Sequence, residues 1–467
     1  MNEKTSMHGL WSSRFVFVLA ATGSAVGLGN IWKFPYITGE NGGGAFVFIY
    51  LLCIALIGIP IMMAEIALGR RGRKSPINSM KDLAAEAGVS KAWSLLGWGG
   101  VIAGFLILSY YSVIAGWALS YIFRAGSGMF IGANAEVVEG MFDSLVSNPE
   151  VLMAWHTIFI VMTMMIVARG VKGGLEKAIV FLMPALLVLL LIMVGYAYNS
   201  GFFAQGLSFL FHIDFNAFFY QCESINGIEQ CEFTGAPLLT ALGHAFFTLS
   251  LGMGAIMVYG AYMPKSISIT GSAFLIAFSD TAVALLAGIA IFPIVFANGL
   301  EPAAGPGLIF QTLPIAFGTM AGGQFFGTLF FVLLVFAAWS SSISLIEPAV
   351  AWLVENKGQS RIFSSTVVGI AVWFVGLGTV FSFNIWSGED YQIFGKTFFD
   401  LLDYLTANIM LPLGGLLIAI FATWLMNRET IKSELAMSNG FSIWYQITRY
   451  VAPIAVVIVF LNAIGVL

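Results

Sequence analysis

The sequence predicts an all-α integral membrane protein, and three observations predict it. Hydrophobic residues make up 59% of the 467 and charged residues only 9%, and the mean hydropathy is +0.91. That leaves too little polar surface to cover a water-soluble globule of this size. About eleven mostly apolar segments of roughly 20 residues, the length that spans a bilayer, follow one another along the chain. Lys and Arg gather in alternate connections, as the positive-inside rule requires.

The segments lie near 14–37, 42–68, 95–123, 153–169, 175–197, 237–262, 269–297, 322–354, 362–383, 398–426 and 443–465, and are numbered 1 to 11. Segment 1 reads as a span and no cleaved signal peptide. The charged start from Met1 to Arg14 leads into a long apolar run and then Trp32-Lys33-Phe34-Pro35, with no small-residue cleavage site. With a cytoplasmic N-terminus, three basic connections fall inside: Arg70, Arg71, Arg73, Lys74 and Lys81; Arg169 and Lys172; Lys357 and Arg361. Acidic loops fall outside, with Glu136, Glu139 and Asp143 in one and Asp214, Glu223, Glu229 and Glu232 in another. The net charge of −4 gives no argument for a nucleic-acid partner. Cys53 sits mid-span as a small core residue. Cys222 and Cys231 share one exterior loop, where a disulfide and two free thiols both remain open. No Pro/Ser-rich linker interrupts the spans, so 1–467 reads as a single domain whose longest connections lie near 125–152 and 198–236.

Two segments break their helical pattern. Segment 1 contains Gly23-Ser24-Ala25-Val26-Gly27-Leu28-Gly29-Asn30, and segment 6 contains Ser250-Leu251-Gly252-Met253-Gly254. Glycine costs about 1 kcal/mol in a helix interior relative to alanine, so such clusters at mid-depth predict that the helix stops there. Unwound backbone is tolerated in a membrane only where it is buried or lines a cavity. The plainer alternative is that these glycines only let helices pack closely.

The run Gly23 to Asn30 followed by Ile31-Trp32-Lys33-Phe34-Pro35-Tyr36 and Glu40-Asn41-Gly42-Gly43-Gly44-Ala45-Phe46 resembles the first-segment signature of the neurotransmitter:sodium symporters. Further matches are Gly58-Ile59-Pro60 to Glu65, Gly69-Arg70, Ala245 to Gly252, and Ser340-Ser341-Ser342-Ile343-Ser344. The resemblance spans segments 1 to 10, and eleven segments rather than twelve make the chain similar to the family's prokaryotic amino-acid transporters. It implies two five-helix inverted repeats, 14–197 and 237–426, with helices 1 and 6 broken at mid-membrane and an extra helix at 443–465. This family is itself the standing example of that design. It also implies a sodium-coupled symporter of the bacterial cytoplasmic (inner) membrane, with no enzymatic activity, that takes up neutral hydrophobic or aromatic L-amino acids by alternating access.

Two sodium sites are expected from the resemblance, since a dehydrated sodium ion needs hard oxygen donors and a helix break frees carbonyls. One would use the Ala25 carbonyl, Asn30, Thr248, Asp280 and the substrate carboxylate. The other would use the carbonyls of Gly23, Val26 and Ala337 and the hydroxyls of Ser340 and Ser341. Read without the family, three serines in a row are more simply hydroxyls bonded back to their own helix. Asp280 stands where relatives often carry asparagine, and Ala284 where chloride-dependent members carry serine. A carboxylate at mid-depth marks a functional site by default. The expectation is that Asp280 supplies the negative charge that chloride supplies elsewhere, so chloride is not required. His244 aligns near Asp280, with two readings: a proton-binding partner of Asp280, or a hydrogen-bonded core histidine.

For the substrate, the resemblance places the amino-acid carboxylate at the free amides near Leu28 and Gly29, with Tyr111 completing the contact, and Ala25 and Thr248 at its edge. Gly27 stands where monoamine carriers have an aspartate, which points to a ligand bringing its own carboxylate. The side-chain pocket would comprise Ile107, Phe247, Ser250, Met253, Ser341 and Leu345, apolar and uncharged, with flexible Met253 letting it adapt. Phe247 and Tyr111 would form its lid. Lys33 and Asp403 match an outer gate pair, in which lysine replaces the usual arginine fork by a point donor. Trp11, Tyr262 and Glu355 match inner gate positions, with His8 where an arginine is common. Gly174 and Pro184 resemble a segment 5 motif linked to inward sodium release.

Competing classes fare worse. A channel needs a continuous polar stripe, whereas these polar residues cluster at mid-depth, and no catalytic set of Ser/His/Asp, Cys/His or HExxH type is present. A sodium-dependent amino-acid receptor without transport, or a carrier of another small carboxylated amine, would keep every residue of the site. The sequence leaves homodimerisation open.

Overall fold

The computed structural model describes residues 6–225, 228–302, 307–437 and 439–463, without the side chains of 221–230 and 462–463. The charged start at Met1–Thr5, which the sequence places in the cytoplasm, lies outside the described residues, as do the side chains of Glu223 and Glu229. Among the described residues, nine helices are long and apolar enough to cross a membrane, ten if the bent pair Arg14–Ala25 and Gly29–Glu40 counts as one span. Segment 6 is split into Ala236–Thr248 and Ala255–Ala261, each too short to count alone. The other expected segments are Gly44–Gly72, Lys91–Gly126, Pro149–Val167, Val171–Tyr198, Ile269–Ala297, Gly323–Lys357, Arg361–Ser382, Phe398–Leu425 and Phe441–Leu461.

The ends of these helices follow local chemistry. The side chains of Ser13, Asn148, Ser268 and Ser360 each accept a backbone N–H at a helix start, satisfying one of the donors that a helix N-terminus orphans. Segment 4 therefore begins at Pro149, before the residue that hydropathy alone selects.

The all-helical class holds with one addition. The long connection between segments 5 and 6 carries helices Phe203–Phe211 and Phe215–Phe219 and then an antiparallel hairpin, β1 Tyr220–Ile225 and β2 Ile228–Phe233. Its register sets Cys222 opposite Cys231, and Cys231 is disulfide-bonded, whereas Cys53 is a buried free thiol. The strands are rich in Tyr, Ile, Phe and Cys and flank Asn226-Gly227, a dipeptide that signals a tight hairpin.

Segments 3 and 8, the two longest helices, pack along each other, and segments 4 and 9 lean on segment 3 from outside. Ser112 Oγ lies 3.0 Å from His156 Nδ1, and His156 Nε2 lies 3.2 Å from the Trp373 carbonyl oxygen. One buried histidine thus ties segments 3, 4 and 9 into a frame, against which segments 1 and 6 are held.

Candidate functional site

Segment 1 stops being helical after Ala25. Val26 is extended at φ −69° and ψ 111°, and the two halves meet at 50°. The break frees peptide groups that side chains from other segments take up. Ser341 Oγ donates to the carbonyls of Val26 at 2.9 Å and Gly23 at 3.4 Å. Ser250 Oγ donates to the Ser24 carbonyl at 2.8 Å. The Gly27 N–H donates to Asn30 Oδ1 at 2.9 Å and the Leu28 N–H to Tyr111 Oη at 3.0 Å.

Segment 6 breaks at the same depth. Gly252 and Gly254 take φ of 74° and 75°, a region open to glycine at little cost. Ser250 takes φ 54° and is held there by its bond to Ser24. Glu65, fully buried in segment 2, accepts the Gly252 N–H on Oε2 at 3.1 Å. Sequence reading placed Glu65 inside a matched motif without giving it a task. A carboxylate in mid-span was the signal that could have marked it.

Asp280 joins the two breaks from segment 7. Its carboxylate accepts Asn30 Nδ2 at 2.8 Å and Thr248 Oγ1 at 3.0 and 3.1 Å, and its carbonyl accepts Asn30 Nδ2 at 3.1 Å. All three residues are buried. No hydrogen bond joins His244 to Asp280. Neither nitrogen of His244 has a hydrogen-bond partner among the described residues, and its ring stacks on Phe34 at 5.9 Å and packs against Tyr50 at 5.4 Å. The hydrogen-bonded core histidine of the sequence reading is a stacked one instead, because its neighbours are aromatic faces.

Of the serine run, Ser341 reaches the freed carbonyls of segment 1, and Ser344 Oγ accepts the Ser24 hydroxyl at 2.7 Å. Ser340 Oγ donates to the Ala337 carbonyl of its own helix at 3.0 Å, and Ser342 bonds to Trp339 and Thr163. Helical spacing points successive residues to different faces.

Ala25, Gly27, Gly29, Ile107, Tyr111, Phe247, Ser250, Met253, Ser341 and Leu345 line one central cavity of about 20 Å³, with Ser24. Of the expected pocket residues, Thr248 turns to Asp280 and Leu28 lines a second cavity of about 120 Å³ beyond Phe247 and Tyr111. Those two aromatic residues line both cavities and separate them. Beyond them Lys33 Nζ lies 3.0 Å from both carboxylate oxygens of Asp403, which also accepts Tyr110 Oη at 3.2 Å. Lys33 also sits 5.1 Å from the Phe247 ring centre, so the cation ties the ion pair to the aromatic partition.

At the other end, the Trp11 N–H donates to the Tyr262 carbonyl and its Nε1 to the Tyr259 carbonyl, both at 3.0 Å. His8 Nε2 lies 3.1 Å from Glu355, whose carboxylate also accepts Ser75 and Asn78. Tyr262 Oη donates to Glu347 at 2.8 Å, and Arg361 forms a double contact with the same carboxylate. The Glu347–Arg361 pair escaped the sequence reading, in which Arg361 only served to orient the chain. Gly174 lies in a wide helical turn, Val171–Leu175, directly before the helix that contains Pro184.

Two interrupted helices that gather peptide groups, hydroxyls and the carboxylates of Asp280 and Glu65 in mid-span, between constrictions on either side, define a secondary membrane transporter. The chain belongs to the sodium:neurotransmitter symporter family, whose model matches residues 8–130 and 129–467. It is 38% identical over 464 residues to an uncharacterized sodium-dependent transporter of Bacillus subtilis (strain 168), with 98% of each chain covered. It is 32% identical to an uncharacterized sodium-dependent transporter of Haemophilus influenzae, with 99% of each covered. Among solved structures it resembles the crystal structure of MhsT in complex with L-phenylalanine, at TM-score 0.89 and 42% identity, covering 97% of this chain and 99% of that one. It is a sodium-coupled membrane transporter and no enzyme.

Proposed function

We propose that the protein takes up neutral hydrophobic or aromatic L-amino acids together with sodium across the bacterial cytoplasmic membrane, its N-terminus inside. The observation that carries this reading is the joining of both helix breaks at one cavity by Ser250 to Ser24, with Ser341 of segment 8 bonded there to the Gly23 and Val26 carbonyls of the first break. The ligand carboxylate binds at the segment 1 break beside Tyr111, where Gly27 leaves space and the half-helix start favours an anion. The apolar remainder of the cavity takes the ligand side chain, and Phe247 and Met253 move apart to admit it. A relative solved with L-phenylalanine supports an aromatic ligand.

One sodium ion binds among Ala25, Asn30, Thr248, Asp280 and the ligand carboxylate. A second binds among Gly23, Val26, Ala337, Ser340 and Ser341, where it replaces the bonds that these hydroxyls make to backbone carbonyls. Asp280 makes chloride unnecessary. Segments 1–5 and 6–10 act as inverted repeats that rock about this site, closed alternately by Lys33–Asp403 and by the Trp11, Tyr262, His8 and Glu355 cluster. Thermal stability measured against each of the twenty amino acids, in sodium and in potassium, tests the assignment, because a ligand stabilises the state it binds. Stabilisation by apolar amino acids in sodium alone is expected. Stabilisation by charged amino acids, or equally in both salts, contradicts it.

A further inference from the structure

Away from the transport path, segments 4 and 9 diverge on the face turned to the bilayer. Between them runs a groove of about 460 Å³ whose lining includes Thr157, Met164 and Ala168 on one side and Ile362, Thr366 and Trp373 on the other. Val161, Met165, Ile362 and Ile370 on its walls are exposed, so lipid is what meets it. A Cβ at Gly369 would lie 2.6 Å from Met164 Cγ. Glycine there lets the two helices come together and form the floor.

Three features define what fits. Thr157 to Ala168 and Ile362 to Trp373 are each about three helical turns, roughly 16 Å, against about 15 Å for one leaflet of a 30 Å hydrocarbon core. The far end is closed where Trp373 Nε1 donates to Thr157 Oγ1 at 2.8 Å. The near end, on the side of the membrane where His8 meets Glu355, adjoins Arg169 and Lys172. Both are exposed, and neither forms an ion pair among the described residues. Neighbouring Arg361 is engaged by Glu347 and the Val167 carbonyl.

We propose that this groove is a binding site for an anionic phospholipid, with one acyl chain lying between segments 4 and 9 and the phosphate held by Arg169 and Lys172. A lipid of no net charge fills the groove too, but its own ammonium offsets the phosphate that faces the two cations, and a second copy of the chain would bring cation against cation. Basic residues at a bilayer surface attract anionic headgroups in this way.

The test titrates the detergent-solubilised full chain with phosphatidylglycerol or phosphatidylcholine of identical acyl chains and counts bound lipids by native mass spectrometry. Phosphatidylglycerol is expected to be retained about tenfold better. The double substitution Arg169→Gln/Lys172→Gln, on exposed side chains, should remove that preference without lowering the melting temperature. Thr366→Phe, which fills the groove from an exposed position, should reduce retention of both lipids. Equal retention of the two lipids by the unsubstituted protein, or a preference unchanged in the double variant, overturns the proposal. Conversion of a dimer to a monomer by Thr366→Phe with lipid retention unaltered also overturns it, and assigns the groove to a second copy.

Discussion

The hydroxyl of Ser250, in the break of segment 6, donates to the carbonyl of Ser24, in the break of segment 1, at 2.8 Å. Each interruption is thereby held open by the other, and the left-handed backbone of Ser250 is stabilised by a partner 226 positions away. Ser250→Ala should remove that bond and lower amino-acid affinity about tenfold, in line with about 1 kcal/mol or more for a buried hydrogen bond. Binding titration checks it, with unchanged affinity counting against a coupled pair of breaks.

Gly27 packs where a side chain has no room: a Cβ there would lie 2.7 Å from Tyr111 Oη. Gly27→Asp should therefore abolish amino-acid binding, by at least about 100-fold, since it adds bulk and sets a second buried anion against the ligand carboxylate. Retained affinity would move the ligand elsewhere.

Asp280 is fully buried and collects donors from both broken segments. Asp280→Asn should weaken sodium-driven uptake, and adding Ala284→Ser should make the remaining uptake respond to chloride. Uptake assays with chloride or gluconate separate the cases. Full sodium-driven uptake without any chloride effect in both variants would end the charge-substitution idea.

Glu65 supports the segment 6 break from segment 2 through the Gly252 N–H. Replacing it by alanine strands that buried donor, and the expected loss is about 1–3 kcal/mol of stability, read as a lower melting temperature. A melting temperature equal to that of the unsubstituted protein would show that the break stands without it.

Glu347 holds Tyr262 and Arg361 together at the constriction beside His8 and Glu355. Glu347→Gln should loosen that end and raise the reactivity of a cysteine placed at Ser24 toward a water-soluble thiol reagent added from the cytoplasmic side. The background for that measurement is a protein lacking Cys53, with the hairpin disulfide retained. Unaltered labelling would leave the inner closure to the Trp11 and His8 contacts.

Much of this was legible in the sequence for a definite reason. Spans are set by hydropathy over long windows, and the breaks by glycines that cannot be explained as good helix formers. The ion pair Lys33–Asp403 and the cavity residues around Tyr111, Phe247 and Met253 came with the family resemblance. Pairings between distant positions were harder. Glu65 with Gly252, and Glu347 with Arg361 and Tyr262, depend on which helix faces meet, and periodicity within one segment does not encode that. His244 shows the same limit: its polarity predicted hydrogen bonds, whereas Phe34 and Tyr50 surround it with rings. The groove between segments 4 and 9 arises from the angle at which two helices diverge, which no single segment carries.

The central claim is that the paired breaks couple sodium to an amino acid during transport. The most direct measurement is uptake of labelled L-phenylalanine by vesicles containing the purified protein, with an inward sodium gradient as the sole driving force. Accumulation above the external concentration, collapsing when the sodium gradient is dissipated, is the predicted result. Saturable binding without accumulation, or accumulation that persists with potassium in place of sodium, would contradict it.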